Sequence, residues 1–223
     1  MIKKQSGNLI RQPARILPKQ LITFADYSSN SIANLFISLK FTPNSLSFIA
    51  LMLGLIAGVL FAFAQPLWAG VVIIICGFFD LLDGQVAIKT DKKSLFGAIF
   101  DSTLDRYAEF FIYLGLAYYF RNHWTLWLCF FTFFGSSMVS YTRARAEGLG
   151  MECQIGIMQR AERLGFLALG ALFGSVFVVF DSVMIAVLIA IAVISNFTAF
   201  QRIFYVKKME NLKTSNPNIK IAQ

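Results

Sequence analysis

From residue 45 onward the chain reads as apolar runs separated by short polar breaks. The runs cover 45–64, 67–87, 96–120, 124–142, 164–180 and 183–206. A helix needs about 20 apolar residues to cross a bilayer, so each run is long enough or nearly so. The fifth is the shortest, and its helix is expected to begin upstream, near Ile157 or Ala161. The breaks fall at Gln65-Pro66, from Lys89 to Lys93, at Arg121-Asn122-His123, from Arg143 to Arg163, and at Asp181-Ser182. This pattern predicts an all-α integral membrane protein with six transmembrane helices. Residues 21–41 mix Phe24, Tyr27, Ile32, Leu35, Phe36 and Leu39 with polar side chains. That stretch is too interrupted to span and reads as an amphipathic juxtamembrane helix on the bilayer surface. Three segments follow: a basic N-terminal segment with the surface helix (1–41), the six-span domain (42–206) and a basic tail (207–223). No internal repeat is visible.

Composition narrows the class. Hydrophobic residues make up 57% and charged residues only 14%, against about 25% charged in an ordinary soluble domain. A water-soluble enzyme and a disordered chain are both excluded. The formal net charge is +8, and 18 of the 20 Lys and Arg residues fall on one side of a six-span arrangement. The positive-inside rule then puts both termini in the cytoplasm, as expected of a multi-pass protein of the cell (cytoplasmic) membrane. Such an excess suits anionic lipid rather than nucleic acid. Cys76, Cys129 and Cys153 have neither the number nor the spacing of a disulfide framework or zinc site. The single histidine, His123, leaves little room for histidine-based catalysis. No apolar h-region precedes residue 20, so no cleavable signal peptide is expected. Trp68, Trp124 and Trp127 suit an outer aromatic belt.

Carboxylates within the spans demand a reason, since each costs about 2.5–3.5 kcal/mol to insert on translocon scales. Asp80 and Asp83 are three apart near the end of the second run. Asp101 and Asp105 are four apart near the start of the third. Both spacings put each pair on one helix face, and the short loop between the two helices brings all four acids to one depth. So many carboxylates together require a counter-charge. Hard divalent cations fit best: Mg²⁺ takes one or two carboxylates plus substrate phosphates, and paired ions suit phosphoryl chemistry. A proton or cation pathway through a transporter is the rival reading. It predicts acids nearer the midplane and a repeat.

Asp80-Leu-Leu-Asp83-Gly84-Gln-Val-Ala87, followed by Gly97-Ala-Ile-Phe-Asp101-Ser-Thr-Leu-Asp105, resembles the CDP-alcohol phosphotransferase family motif D-x2-D-G-x2-A-R-x8-G-x3-D-x3-D. Seven of its eight fixed positions match, within 26 residues; the departure is Ile88, where the family usually has Arg. Thr42-Pro43-Asn44 resembles the family's approach to its first span. The resemblance implies a six-span, usually homodimeric enzyme in which an acceptor hydroxyl displaces CMP from a CDP-linked alcohol. It implies that Asp80, Asp83 and Asp101 hold Mg²⁺ or Mn²⁺, two ions in all. Asp105 would be the general base with a share in the metal site. Gly84, Ala87 and Gly97 would line the CDP pocket together with Asp80, Asp83 and Asp101.

Arginines near one aqueous mouth suggest a phosphorylated acceptor, because guanidinium binds phosphate bidentately. Ser140-Tyr-Thr-Arg143-Ala-Arg145-Ala-Glu147, then Glu162-Arg163, resembles the phosphatidylinositol-phosphate synthase branch. That resemblance assigns the acceptor phosphate to Arg143, Arg163 and Arg202. It implies CDP-diacylglycerol, or a CDP-linked ether lipid, as donor and inositol 1-phosphate as acceptor. Glycerol 3-phosphate, as in phosphatidylglycerophosphate synthases, is the neighbouring alternative. Arg145 and Arg160 read as ordinary positive-inside residues with snorkelling side chains, and Glu109 as a non-catalytic partner for Arg106 or another helix.

Overall fold

A computed structural model describes residues 32–151, 153 and 155–215. The expectations for residues 1–31 and 216–223, including Phe24 and Tyr27, lie outside them. The described chain is helical without strands: α1 (32–38), α2 (Pro43–Ala62), α3 (Pro66–Lys89), α4 (Leu95–Tyr119), α5 (Thr125–Gly148), α6 (Arg160–Val176) and α7 (Phe180–Ser215). Three are long and apolar enough to cross a membrane by length and composition: α2, α3 and residues Phe180–Asn211 of α7, with mean hydropathies of 2.4, 2.0 and 2.5. α4 and α5 match them in length, at 25 and 24 residues, but carry charges within their turns. α6 has 17 residues, a length of about 26 Å at 1.5 Å per residue.

Helix starts follow local chemistry. Thr42 and Ser45 form a capping box ahead of α2, with Pro43 in its first turn. The Ser94 side chain accepts from Gly97 N at 2.9 Å to start α4. Glu162 accepts from Gln159 N at 2.7 Å to start α6, which fixes the expected upstream start at Arg160. Two boundaries differ from the apolar pattern. The α6–α7 reversal falls at 177–179 rather than at Asp181-Ser182, because Gly174 lets Phe180 approach its backbone; a Cβ there would lie 2.7 Å from Phe180 Cα. Val178 in that turn has φ 56°, rare for a β-branched residue and invisible to hydropathy. At the other end α7 runs unbroken to Ser215, so the start of the basic tail continues the last helix.

The six long helices close into a ring in the order α2, α3, α6, α7, α5, α4. Phe61, Ile112, Leu116, Leu167, Met184, Leu188 and Ile191 fill its centre. α3 and α4 are joined by a short loop but do not pack face to face. α2 lies against both and holds them apart, which corrects the expectation of two directly facing helices. α1 packs across the end of α2 and α3, where Phe36 meets Phe79 edge-on at 5.7 Å between ring centres.

The closest approach is between α2 and α4. A Cβ on Gly58 would run into the Phe111 carbonyl, and one on Gly115 into Gly58. Glycine there brings two backbones together, as small residues do between membrane helices. Gly58→Ala should therefore lower thermal stability in detergent by about 1–3 kcal/mol. Gly77→Ala, whose Cβ meets nothing within 4 Å, should melt within error of the wild type.

Candidate active site

Where α2 wedges α3 from α4, the two acid pairs meet. Oxygens of Asp80, Asp101 and Asp105 lie within 4.8 Å of one another. Asp83, only 6% exposed, accepts from Ser47 Oγ of α2 at 2.7 Å. The donor set is all oxygen, as Mg²⁺ and Mn²⁺ prefer, and Asp101 Oδ1 is buried without a hydrogen-bond partner. These residues fit a divalent cation held by Asp80, Asp101 and Asp105, with Asp83 alongside.

A cavity of about 220 Å³ opens beside them. Asp83, Gly84, Ala87, Gly97 and Asp101 line it, joined by Asn44 and Ser47 of α2. Gly84 is informative: a Cβ there would meet no atom within 4 Å. Helix packing does not require that glycine, unlike Gly58, and it lies in the cavity lining. Gly97 differs, since its Cβ would press on Ser94 Oγ at 3.0 Å. Asp80, expected in the same pocket, points to the acid cluster rather than the cavity wall.

The Ile88 departure acquires a physical meaning. Ile88 is 55% exposed and outside the cavity lining. Lys89 donates to Asn34 of α1 at 2.7 Å. The cavity's cations come instead from Lys92 and Lys93 of the α3–α4 loop, which the motif does not specify.

Arg160 overturns the reading of a snorkelling surface residue. Its Nη1 lies 2.5 Å from Asp80 and 2.8 Å from Asp105, with the side chain 11% exposed. Beyond it charges alternate: Arg106 lies 3.7 Å from Asp105 and 3.8 Å from Glu109, and Glu109 receives Arg163 at 2.8 and 3.2 Å. Asp80, Arg160, Asp105, Arg106, Glu109 and Arg163 thus form a ladder of opposite signs. Long arginines of α6 reach α4 although the two helices are not ring neighbours.

The three arginines expected at the acceptor phosphate are therefore not equivalent. Arg163 is 1% exposed and held in a bidentate pair by Glu109. Arg202 is 4% exposed; it donates through Nε to Ile155 O at 2.8 Å and through Nη1 to Val139 O, tying the α5–α6 loop to α5 and α7. Arg143 is exposed and pairs with Glu147 at 2.8 Å. Arg143 and Arg163 both lie within electrostatic reach of Arg202. Gly156 makes room for that loop: it sits at φ 143°, and a Cβ would strike Thr198 Cγ2 at 2.7 Å.

Residues 40–198 match the CDP-alcohol phosphatidyltransferase family, and the chain belongs to it: a transferase and a membrane protein. Among its relatives is the archaetidylinositol phosphate synthase of Pyrococcus horikoshii, 37% identical over 172 residues, covering 77% of this chain and 86% of the relative. The phosphatidylinositol phosphate synthase of Mycobacteroides abscessus is 31% identical over 164 residues, covering 70% and 72%. The crystal structure of the Mycobacterium tuberculosis phosphatidylinositol phosphate synthase with CDP-DAG bound superposes with a TM-score of 0.73 at 26% identity, covering 80% of this chain and 92% of that one. A second structure of that enzyme, in complex with manganese and citrate, also gives 0.73 and covers 80% and 88%.

Glu109 has the least freedom of these side chains. Removing its charge leaves Arg163 buried and unpaired, which typically costs about 3–5 kcal/mol. Glu109→Gln should lower stability on that scale in chemical or thermal unfolding. Glu109→Gln combined with Arg163→Met should recover most of the loss.

Proposed function

We propose that this chain transfers a phosphatidyl-type group from a CDP-linked lipid, CDP-diacylglycerol or its ether counterpart, to a hydroxyl of inositol 1-phosphate, releasing CMP. The observation that carries the reading is the pairing of the oxygen cluster with a cavity whose bare wall, Gly84, helix packing does not explain. Relatives named as inositol phosphate synthases, bacterial and archaeal, support the choice of acceptor. The same names leave both lipid backbones open for the donor.

In this reading Asp80, Asp83, Asp101 and Asp105 hold two divalent ions, Mg²⁺ or Mn²⁺. The ions, when bound, offset charge on the diphosphate as the phosphorus–oxygen bond to CMP breaks. The chain's own residues do the rest. Asp83, Gly84, Ala87, Gly97 and Asp101 admit the cytidine diphosphate, and Lys92 and Lys93 supply the cations that Ile88 does not. The acceptor oxygen forms the new bond to the lipid-linked phosphorus, and its proton passes to Asp105. Arg143 makes the first contact with the acceptor's phosphate, since it alone of the three arginines is exposed, while Arg163 and Arg202 add to the local positive field.

The enclosing membrane domain is read as 42–206 with six spans, α2 to α7, both termini and the site on the cytoplasmic side, and the 21–41 stretch lying on the surface. The ring closure, the charge asymmetry and the placement of the acids at one end of α3 and α4 support that topology. The enzyme is read as a homodimer on its family's pattern.

Asp83→Asn and Asp105→Asn should each reduce CMP release by at least about 100-fold, the lower end of a general acid–base contribution, in protein that still elutes and melts as folded. Turnover unchanged in either variant would contradict its assignment. Gly84→Val should fold normally and raise KM for the CDP-lipid while leaving KM for the acceptor unchanged.

A further inference from the structure

The ladder gives Arg160 a place that the transfer reaction does not require. Its Nη1 contacts Asp80 Oδ1 at 2.5 Å and Asp105 Oδ1 at 2.8 Å. These belong to two of the three residues whose oxygens gather within 4.8 Å. The guanidinium thus lies against two of the carboxylates that would hold the ion. Asp101, the third member, leaves Oδ1 buried and without a partner, and Arg160 itself has Nε and Nη2 buried and without partners. A residue folded for pairing alone would satisfy more of its donors, since arginine offers a fixed fork for carboxylates. Arg106 also pairs with Asp105, but at the longer distance of 3.7 Å. Among the described residues no cation pairs with Asp83, which takes the Ser47 hydroxyl and lies in hydrogen-bond reach of Asp101.

We infer that Arg160 is a built-in competitor for the divalent cation: a positioning residue that keeps Asp80 and Asp105 gathered in the absence of metal and must be displaced for metal to bind. It rests on the reading of the aspartate cluster as a metal site. Three consequences follow from charge and geometry. Without a cation, four carboxylates at the edge of a low-dielectric region repel one another, and Arg160 offsets part of that repulsion. Ion binding then exchanges one cation for another, so its affinity is lower than the oxygen cluster alone would give. The displaced guanidinium stays tethered at the first turn of α6, one helix turn before Arg163. There its unpartnered donors become available to an anionic group on the substrates.

The test is direct binding of Mn²⁺ alone, read from the loss of the free-ion electron paramagnetic resonance signal, with no lipid or acceptor present. Wild type, Arg160→Gln and Arg160→Lys are compared in detergent, together with the melting temperature of each in chelator. Charge-assisted bonds to two carboxylates are lost in Arg160→Gln, so Mn²⁺ should bind roughly ten- to a hundredfold tighter, while the metal-free protein melts lower. Arg160→Lys, which keeps the charge without the fork, should fall between the two. A purely structural role predicts the opposite sign, weaker binding in a less stable protein. Unchanged or weaker Mn²⁺ binding in Arg160→Gln would overturn the inference. If that variant does not fold, the same result in Arg160→Lys would do so. Failure of the wild type to bind Mn²⁺ would instead overturn the metal reading of the cluster.

Discussion

A carboxylate in a low-dielectric surround cannot stay ionised beside another without a cation, and most of what is distinctive in this structure answers that constraint. Four aspartates converge at one end of α3 and α4, and one arginine reaches two of them. From there opposite charges alternate through Asp105, Arg106 and Glu109 to Arg163. The last pair is almost fully buried and its two hydrogen bonds are parallel, the geometry in which a buried ion pair offsets its own desolvation. The near end is unfinished. Asp101 and Arg160 both retain buried polar atoms without partners, which fits the divalent ion proposed for this cluster.

The helix ring converts that electrostatic demand into a cavity. Glycines 58 and 115 let α2 and α4 touch backbone to backbone, and α2 also packs on α3. α2, α3 and α4 together line the cavity beside the acids, with Asp83 and Asp101 in its wall. Gly84 lines that cavity. Small residues sit in two surroundings: a Cβ would find occupied space at Gly58 and open space at Gly84. The α5–α6 loop is fixed by Arg202 and Gly156, which places the start of α6, and so Arg160, against the acids.

Much of this was legible in the sequence, for physical reasons. Apolar runs bounded by Pro, Gln and Lys clusters mark helices because an unpaired backbone is costly in lipid, and all six runs are helices. The acid pairs were legible because three- and four-residue spacing selects one helix face. The Arg160 pairing was not: its partners lie 80 and 55 positions away on two other helices, and a lone arginine near a polar break looks like charge decoration. Glu109 was legible as a partner for Arg106 or another helix, and it pairs with both Arg106 and Arg163 of α6. Lys92 and Lys93 were hidden in a loop that the motif spaces but does not specify. The turn at Val178 was missed because hydropathy carries no information about φ. Length and composition mark three of the six helices as spanning by themselves, since the charged turns of α4 and α5 dilute their apolar character.

The most direct measurement is CMP release by the purified wild-type protein with CDP-diacylglycerol and Mg²⁺, in parallel reactions with inositol 1-phosphate, glycerol 3-phosphate, free inositol and serine. A metal-dependent transferase that recognises a phosphorylated inositol releases CMP with inositol 1-phosphate, loses the activity with chelator, and gives little with free inositol or serine. CMP release with glycerol 3-phosphate instead would contradict the acceptor assignment. CMP release that persists in chelator would contradict the role given to the aspartate cluster.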